Sequence, residues 1–272
     1  MDPRRRRPIG AAATVAAASV IAGALTMLIA LAVLPRPVTH DAAVRTTSEA
    51  PQASAAEHRD RGFALWGVDH RGGPLRWDAC APVTFVLSAA GAPTHAERDL
   101  VEALAILSDA SGLDLRLVGT TDERPSRTRP LVEPDGPGWR WRPVLVAWDS
   151  PAGTDVGLTA LDRGVALPVS VRDGDREAFV TGQIVMNAER ADLVPGFGDR
   201  RDAIGATLLH EIAHVLGLAH VDDPSQLMSE DPGAGPVTLG DGDRAGLRAV
   251  GAAAGCNPAP GPKAGRGLVA GR

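Results

Sequence analysis

The sequence predicts an α+β fold, a mixed and twisted five-stranded sheet with helices packed on it. Three observations predict it. Short β-type runs and helical runs follow one another in the order β-α-β-β-β-β-α-α. The run from Ala203 to Leu218 is apolar over much of its circumference, which is the pattern of a buried helix. The length, 272 residues, suits one globular domain with flanking segments.

Residues 1–8 hold the basic cluster Arg4 to Arg7, and an uncharged run from Ile9 to Leu34 follows. As a helix that run would be about 39 Å long, enough to cross a hydrocarbon core of about 30 Å with some tilt. The arginines keep the N-terminus cytoplasmic and send the rest outside. Residues 9–34 are therefore expected to be a transmembrane signal-anchor. The competing reading is a cleaved signal peptide, with Ala30-Leu31-Ala32 as the cleavage site, although such apolar regions are normally about 7–15 residues. Either way the domain lies outside the cytoplasm. Residues 35–62, rich in Pro, Ala, Ser, Thr and charge, bury too little to order themselves and read as a disordered linker; His40 and His58 are solvated bystanders there.

The domain is expected over residues 63–258, with a flexible tail at 259–272. Arg71-Gly72-Gly73-Pro74 is a turn between two tryptophan-bearing segments. Val83–Leu87 is the first strand. Thr94, with Glu97 three residues on, is the expected N-cap of an amphipathic helix through about Ala110, whose apolar side carries Leu100, Val101, Leu104, Ile106 and Leu107. Leu113–Val118 is a second strand, residues 119–141 a polar loop, and Pro143–Trp148 a third strand. Val165–Val171 alternates like a strand but holds Pro168, which confines it to an edge. Phe179–Met186 is the fifth strand. Asp202 is placed to cap the helix that follows, and a last helix runs from about Gly240 to Ala254. Trp66, Trp77, Trp139, Trp141 and Trp148 read as packing residues.

The chain carries a net charge of −5. Without residues 1–34, which hold Asp2 and the four arginines, 32 acidic and 24 basic side chains remain, a charge of −8. That excludes nucleic acid or anionic lipid as a partner of the folded part. Cys80 and Cys256, far apart and in no metal-binding spacing, are expected to pair as a disulfide in an oxidising compartment, against the alternative of two buried thiols.

Residues 210–220 read HEIAHVLGLAH. His210 and His214, four apart, share one helix face and can take two corners of a tetrahedral zinc site. Glu211 sits beside the metal without ligating it, where a general base for an activated water is needed. Gly217 can end the helix with positive φ, and His220 can return as the third ligand. From the composition, HExxHxxGxxH is expected by chance only about 2×10⁻⁵ times in a chain of this length. The bland alternative is a buried helix with satisfied core histidines.

This stretch resembles the extended signature of the metzincin zinc peptidases at every fixed position. Within them His220 to Met228 is similar in length and character to the matrixins, and Met228 matches the methionine of the clan's Met-turn. The resemblance implies a zincin-like five-stranded sheet with an antiparallel edge strand, an active-site helix carrying the first two ligands, and a C-terminal helix. It is specific only over about 203–229. Val221 stands where matrixins usually carry serine, and Ser229-Glu230 where they carry tyrosine and proline. The chain has no tyrosine to serve as a ligand and no cysteine switch. No histidine lies between His95 and His210 for a second zinc site. Asp155, Asp162, Asp173 and Asp175 could hold calcium in loops, but no EF-hand spacing supports it. His70 and His95 lack ligand partners at useful spacing. Asp222 and Asp223 either orient the His220 loop or line the substrate cleft, or else cap a helix or turn.

These readings combine into an anchored, monomeric, extracytoplasmic zinc endopeptidase. One Zn²⁺ on His210, His214 and His220 would activate water, Glu211 would act as general base, and a peptide would pair along the edge strand near Val165–Val171. The alternatives are a zinc-stabilised binding or regulatory ectodomain without activity, and an envelope protein whose histidines are only core residues.

Overall fold

The computed structural model describes residues 62–190, 192–198, 203–230 and 238–263, together with the backbone of 44–46. The expected anchor, most of the linker, Asp202 and the end of the tail lie outside the described residues. No helix among the described residues is long and apolar enough to cross a membrane.

The sheet contains the five expected strands: β3 (Val83–Ser88), β4 (Leu115–Thr121), β7 (Val144–Asp149), β8 (Gly164–Asp173) and β9 (Arg176–Asn187). Their spatial order is β8-β9-β7-β3-β4; β9, β7, β3 and β4 pair in parallel, and β8 runs antiparallel to β9. The sheet is therefore mixed, with an antiparallel strand at one side. A sixth strand, β1 (Val44–Thr46), pairs antiparallel with β8, Thr46 opposite Val169 and Val44 opposite Val171. It lies in the segment expected to be linker, and three residues without a strand-like pattern gave no signal for it. Pro168 sits inside β8 opposite Gly182, and β1 stops one residue short of it. A residue without N–H cannot donate to an added strand.

β7 is buried throughout and β9 nearly so, as expected for central strands covered on both faces. Their alternating side chains divide two cores. Ile184 and Met186 join the main core with helices α1 (Ala96–Ser111) and α2 (Ile204–Leu216). On the other face Val180 packs with Leu131 and Val132, and Val185 with Val156 and Leu158. The expected loop 119–141 thus serves as a cover, and it contains a hairpin, β5 (Val132–Asp135) with β6 (Gly138–Trp141), that its Pro/Arg-rich sequence hides. Buried Arg129 fastens this cover, donating to Thr181 Oγ1 and to the Gly182 and Pro143 carbonyls while pairing with Glu123.

α1 begins two residues after Thr94, which does not cap it. His95 occupies the N-cap without a side-chain cap hydrogen bond, and its ring instead meets Asp99 at 3.0 Å. The last helix is α3 (Asp241–Val250), followed by a 3₁₀ turn at Ala252–Ala254. Beyond it Cys256 pairs with Cys80 in the expected disulfide, Cα to Cα 5.2 Å. The chain then stays seated to Lys263: the Asn257 amide donates to the Arg76 and Glu177 carbonyls, Trp141 Nε1 donates to Pro260 O, and Lys263 pairs with Asp173. Residues 259–263 are docked rather than the start of a loose tail. Trp66, Trp77 and Trp148 are core residues as expected.

Candidate metal centre

Every residue of α2 is buried except half-buried His210. The start of the helix is held by backbone bonds to the preceding loop, Ile204 N to Val194 O and Gly205 N to Gly196 O. That loop is itself tied to α1, because fully buried Asp99 accepts from Gly196 N at 2.9 Å. At the other end Gly217 adopts φ +115°, and its N–H closes onto Ala213 O and His214 O. A Cβ there would lie 3.2 Å from Leu75 O, so both the turn and the close approach call for glycine. The chain then reverses into β10 (Leu218–Ala219), which pairs with β2 (Ala64–Leu65). Trp66 N donates to Gly217 O, its ring packs edge-on against His214 at 5.1 Å, and Trp77 Nε1 donates to Val215 O. The tryptophan-bearing segments around the Arg71–Pro74 turn thus brace the helix end.

The turn delivers His220 back to the helix face. The three Nε2 atoms converge: His210 to His220 is 3.0 Å, and His214 to each of the others is 3.1 Å. The outer nitrogens fix the protonation of two rings. His214 Nδ1 lies 2.8 Å from Leu218 O, and His210 Nδ1 lies 3.0 Å from Leu227 O. A carbonyl oxygen only accepts, so each Nδ1 carries the proton and each Nε2 presents a lone pair. Two bare nitrogens 3.1 Å apart repel unless a cation lies between them. The triangle they form with His220 is close to the face of a tetrahedron with metal–nitrogen bonds of about 2.0–2.1 Å. The donor set therefore fits a metal ion. Burial, reinforced by the neighbouring His210 and His220, holds the His214 imidazole well below its ordinary range, so it stays neutral and able to ligate.

Glu211 is buried on the same helix. Burial, with the Asp162 carboxylate adding to it, pushes its pKa up to about 8. Gly164, the first residue of β8, packs directly on it, since a Cβ there would lie 3.0 Å from Glu211 Cγ. The start of the edge strand is thus set against the carboxylate.

Met228 is buried in the main core beneath the loop that follows His220, and Val221 N donates to its carbonyl. The sequence pattern missed what holds this loop. Buried Asp243 of α3 accepts from Leu227 N at 2.6 Å, Met228 N at 3.2 Å and Gly240 N at 2.8 Å. Since Leu227 O receives the His210 proton, one peptide unit links Asp243 to the cluster. An acidic residue three positions after Gly240, at the start of a helix, was the available signal. Asp223 caps its own turn, accepting from Ser225 N and Oγ and from Gln226 Nε2. Glu230, after the Met228 turn, places Oε1 3.8 Å from His220 Nδ1.

The other two histidines among the described residues, His70 and His95, stand apart from the cluster. His70 pairs with buried Glu177 at 3.1 Å, and His95 with Asp99. Among the described residues the one further set of converging ligand atoms is Asp78 with Cys80 and Cys256, whose sulfurs are bonded to each other. Asp155, Asp162, Asp173 and Asp175 do not assemble into such a group; Asp155 accepts from Arg127 N and Asp162 from Thr159 N. No protein-family model matches the chain, and no curated protein matches it.

Proposed function

We propose that the chain is a zinc-dependent endopeptidase of metzincin, matrixin-like type, acting outside the cytoplasm. The observation that carries this is the pair of bare, facing Nε2 atoms of His210 and His214, completed by His220, with buried Glu211 on the same helix face. His210, His214 and His220 would hold the ion. Zinc, when bound, supplies Lewis-acid chemistry, making water a nucleophile near neutral pH and taking up charge that develops on a carbonyl oxygen.

Glu211, on the same helix as two of the histidines, would do the remaining work, accepting a proton from water and returning it to a leaving amine within one cycle. The site supports an extended peptide on the β8 edge, where backbone pairing fixes its position relative to Glu211. That edge is shorter than the sequence suggested. β1 takes Val169–Val171, so among the described residues the length with no strand on that side is Gly164–Pro168, its first residue set against Glu211. The Cys80–Cys256 disulfide supports the extracytoplasmic placement, and the Ile9–Leu34 run supports an anchor.

The test is metal analysis of the purified chain together with a peptide-library assay of the wild type and Glu211→Gln. One zinc per chain, cleavage by the wild type and none by Glu211→Gln are the expected results. Correctly folded protein without stoichiometric zinc overturns the proposal. Zinc without cleavage by either form would instead favour a binding or regulatory ectodomain.

A further inference from the structure

We infer that Glu230 is a positioning residue for His220, its carboxylate accepting the Nδ1 proton of that ring so that Nε2 faces the ion. This rests on the metal-site reading above. His210 and His214 each have a backbone carbonyl at the outer nitrogen, placed by Leu227 and Leu218. At His220 the group facing that nitrogen is a side chain, the Glu230 carboxylate.

The backbone brings the two together. Val221 N donates to Met228 O at 2.9 Å, Glu230 N donates to Val221 O at 3.2 Å, and Val221 bridges Ser229 in parallel. The segment after the Met228 turn is thereby clasped to the residue that follows His220. His220 needs such a partner more than its neighbours do. It lies beyond the helix and the two-residue strand β10, and its side chain is 42% exposed, whereas His214 is buried. An imidazole held by one nitrogen alone is free to rotate about its side-chain torsions, and a hydrogen bond at the other nitrogen fixes both tautomer and ring plane.

The present 3.8 Å separation is an ion-pair distance, longer than a hydrogen bond, and the carboxylate is 69% exposed, so surrounding atoms do not enclose it. A cation on Nε2 polarises the ring and strengthens the Nδ1–H as a donor. A carboxylate also brings negative charge to a cluster of three neutral imidazoles, which a backbone carbonyl does not.

The experiment compares full-length wild type, Glu230→Gln and Glu230→Ala. Zinc dissociation constants are measured by competition with a chromophoric chelator, and the visible spectrum is recorded with cobalt in place of zinc. Glu230→Ala is expected to weaken zinc binding about 10-fold, the lower end for loss of a ligand's hydrogen-bond partner, and to shift the cobalt bands. Glu230→Gln, which keeps an oxygen acceptor, recovers part of the affinity. The thermal midpoints of the metal-free forms should coincide, separating positioning from folding. A Glu230→Ala affinity within twofold of wild type overturns the inference and leaves the metal site standing. Equal losses in Glu230→Gln and Glu230→Ala also overturn it, because charge alone would then account for the effect. A wild type that takes up no zinc removes the metal-site reading itself, and this inference with it.

Discussion

Glu211 is held out of water beside Gly164 and Asp162, and its raised pKa makes the metal-free protein pH-sensitive in a defined direction. Its folded value, about 8, lies above the ordinary 4.5. A raised carboxyl costs nothing while protonated below 4.5, and it destabilises the fold progressively as pH rises toward 8. His214 has the opposite sign, because its value is depressed and its buried neutral ring costs stability as pH falls through 6.5. Comparing metal-free wild type with Glu211→Gln isolates the first effect. The midpoints should agree near pH 4, and the variant should gain a lead on the order of a few kcal/mol by pH 8. A lead independent of pH would show that Glu211 is not buried as an acid. At this scale the sequence was legible where chemistry repeats along one helix face: His210, Glu211 and His214 needed only their spacing. Gly164, Asp162 and Asp243 were not legible, since nothing local marks a glycine on another strand or a carboxylate on a later helix as a neighbour of the site.

The element that brings a third histidine to the first two is the turn at Gly217. With φ at +115° and a Cβ that would lie 3.2 Å from Leu75 O, Gly217→Ala strains the backbone and presses on a neighbour. We expect a loss of about 1–3 kcal/mol in chemical denaturation. Zinc affinity should fall with it, because Leu218 and Ala219 lead directly from the turn into His220. A variant of unchanged stability would mean that the turn relaxes freely. On the sheet, β1 pairs with Val169–Val171, and among the described residues no strand pairs with Gly164–Pro168 on that side. Introducing proline at Arg45 removes a backbone donor from β1. Hydrogen exchange should then quicken across Val169–Val171 while β9 stays protected; unchanged exchange would show that β1 contributes no protection there. The strands and helices themselves were legible from alternation and helical period. The β5–β6 hairpin and β1 were not, being held by Arg129 and by the edge of β8 rather than by their own patterning. The α1 cap failed for a related reason: Thr94 fits the local pattern, but the helix starts where His95 can meet Asp99, whose carboxylate also accepts from Gly196 N, 97 residues on.

At the scale of the whole domain, two segments distant in sequence are bonded to each other. Cys80 enters just before β3 and Cys256 follows the last 3₁₀ turn, 176 residues apart, so the bridge encloses nearly every element that builds the site. Two cysteines behind an expected export signal made the pairing legible; the seating of Asn257, Pro260 and Lys263 beyond it was not, because it depends on Arg76, Glu177, Trp141 and Asp173 from three distant segments. Cross-linking so long a loop removes unfolded-state entropy worth about 5 kcal/mol in the chain-entropy model, with measured values commonly about 2–5. The double variant Cys80→Ser, Cys256→Ser should therefore lower unfolding free energy by roughly that amount and its denaturation midpoint accordingly. The site should survive under native conditions, because the hydrogen bonds that set the histidines come from Leu218 and Leu227, with Asp243 holding the latter. Zinc stoichiometry near one in a folded but less stable double variant is the expected outcome. Loss of zinc while the protein remains folded would show that the bridge tensions the site itself and not only the unfolded chain.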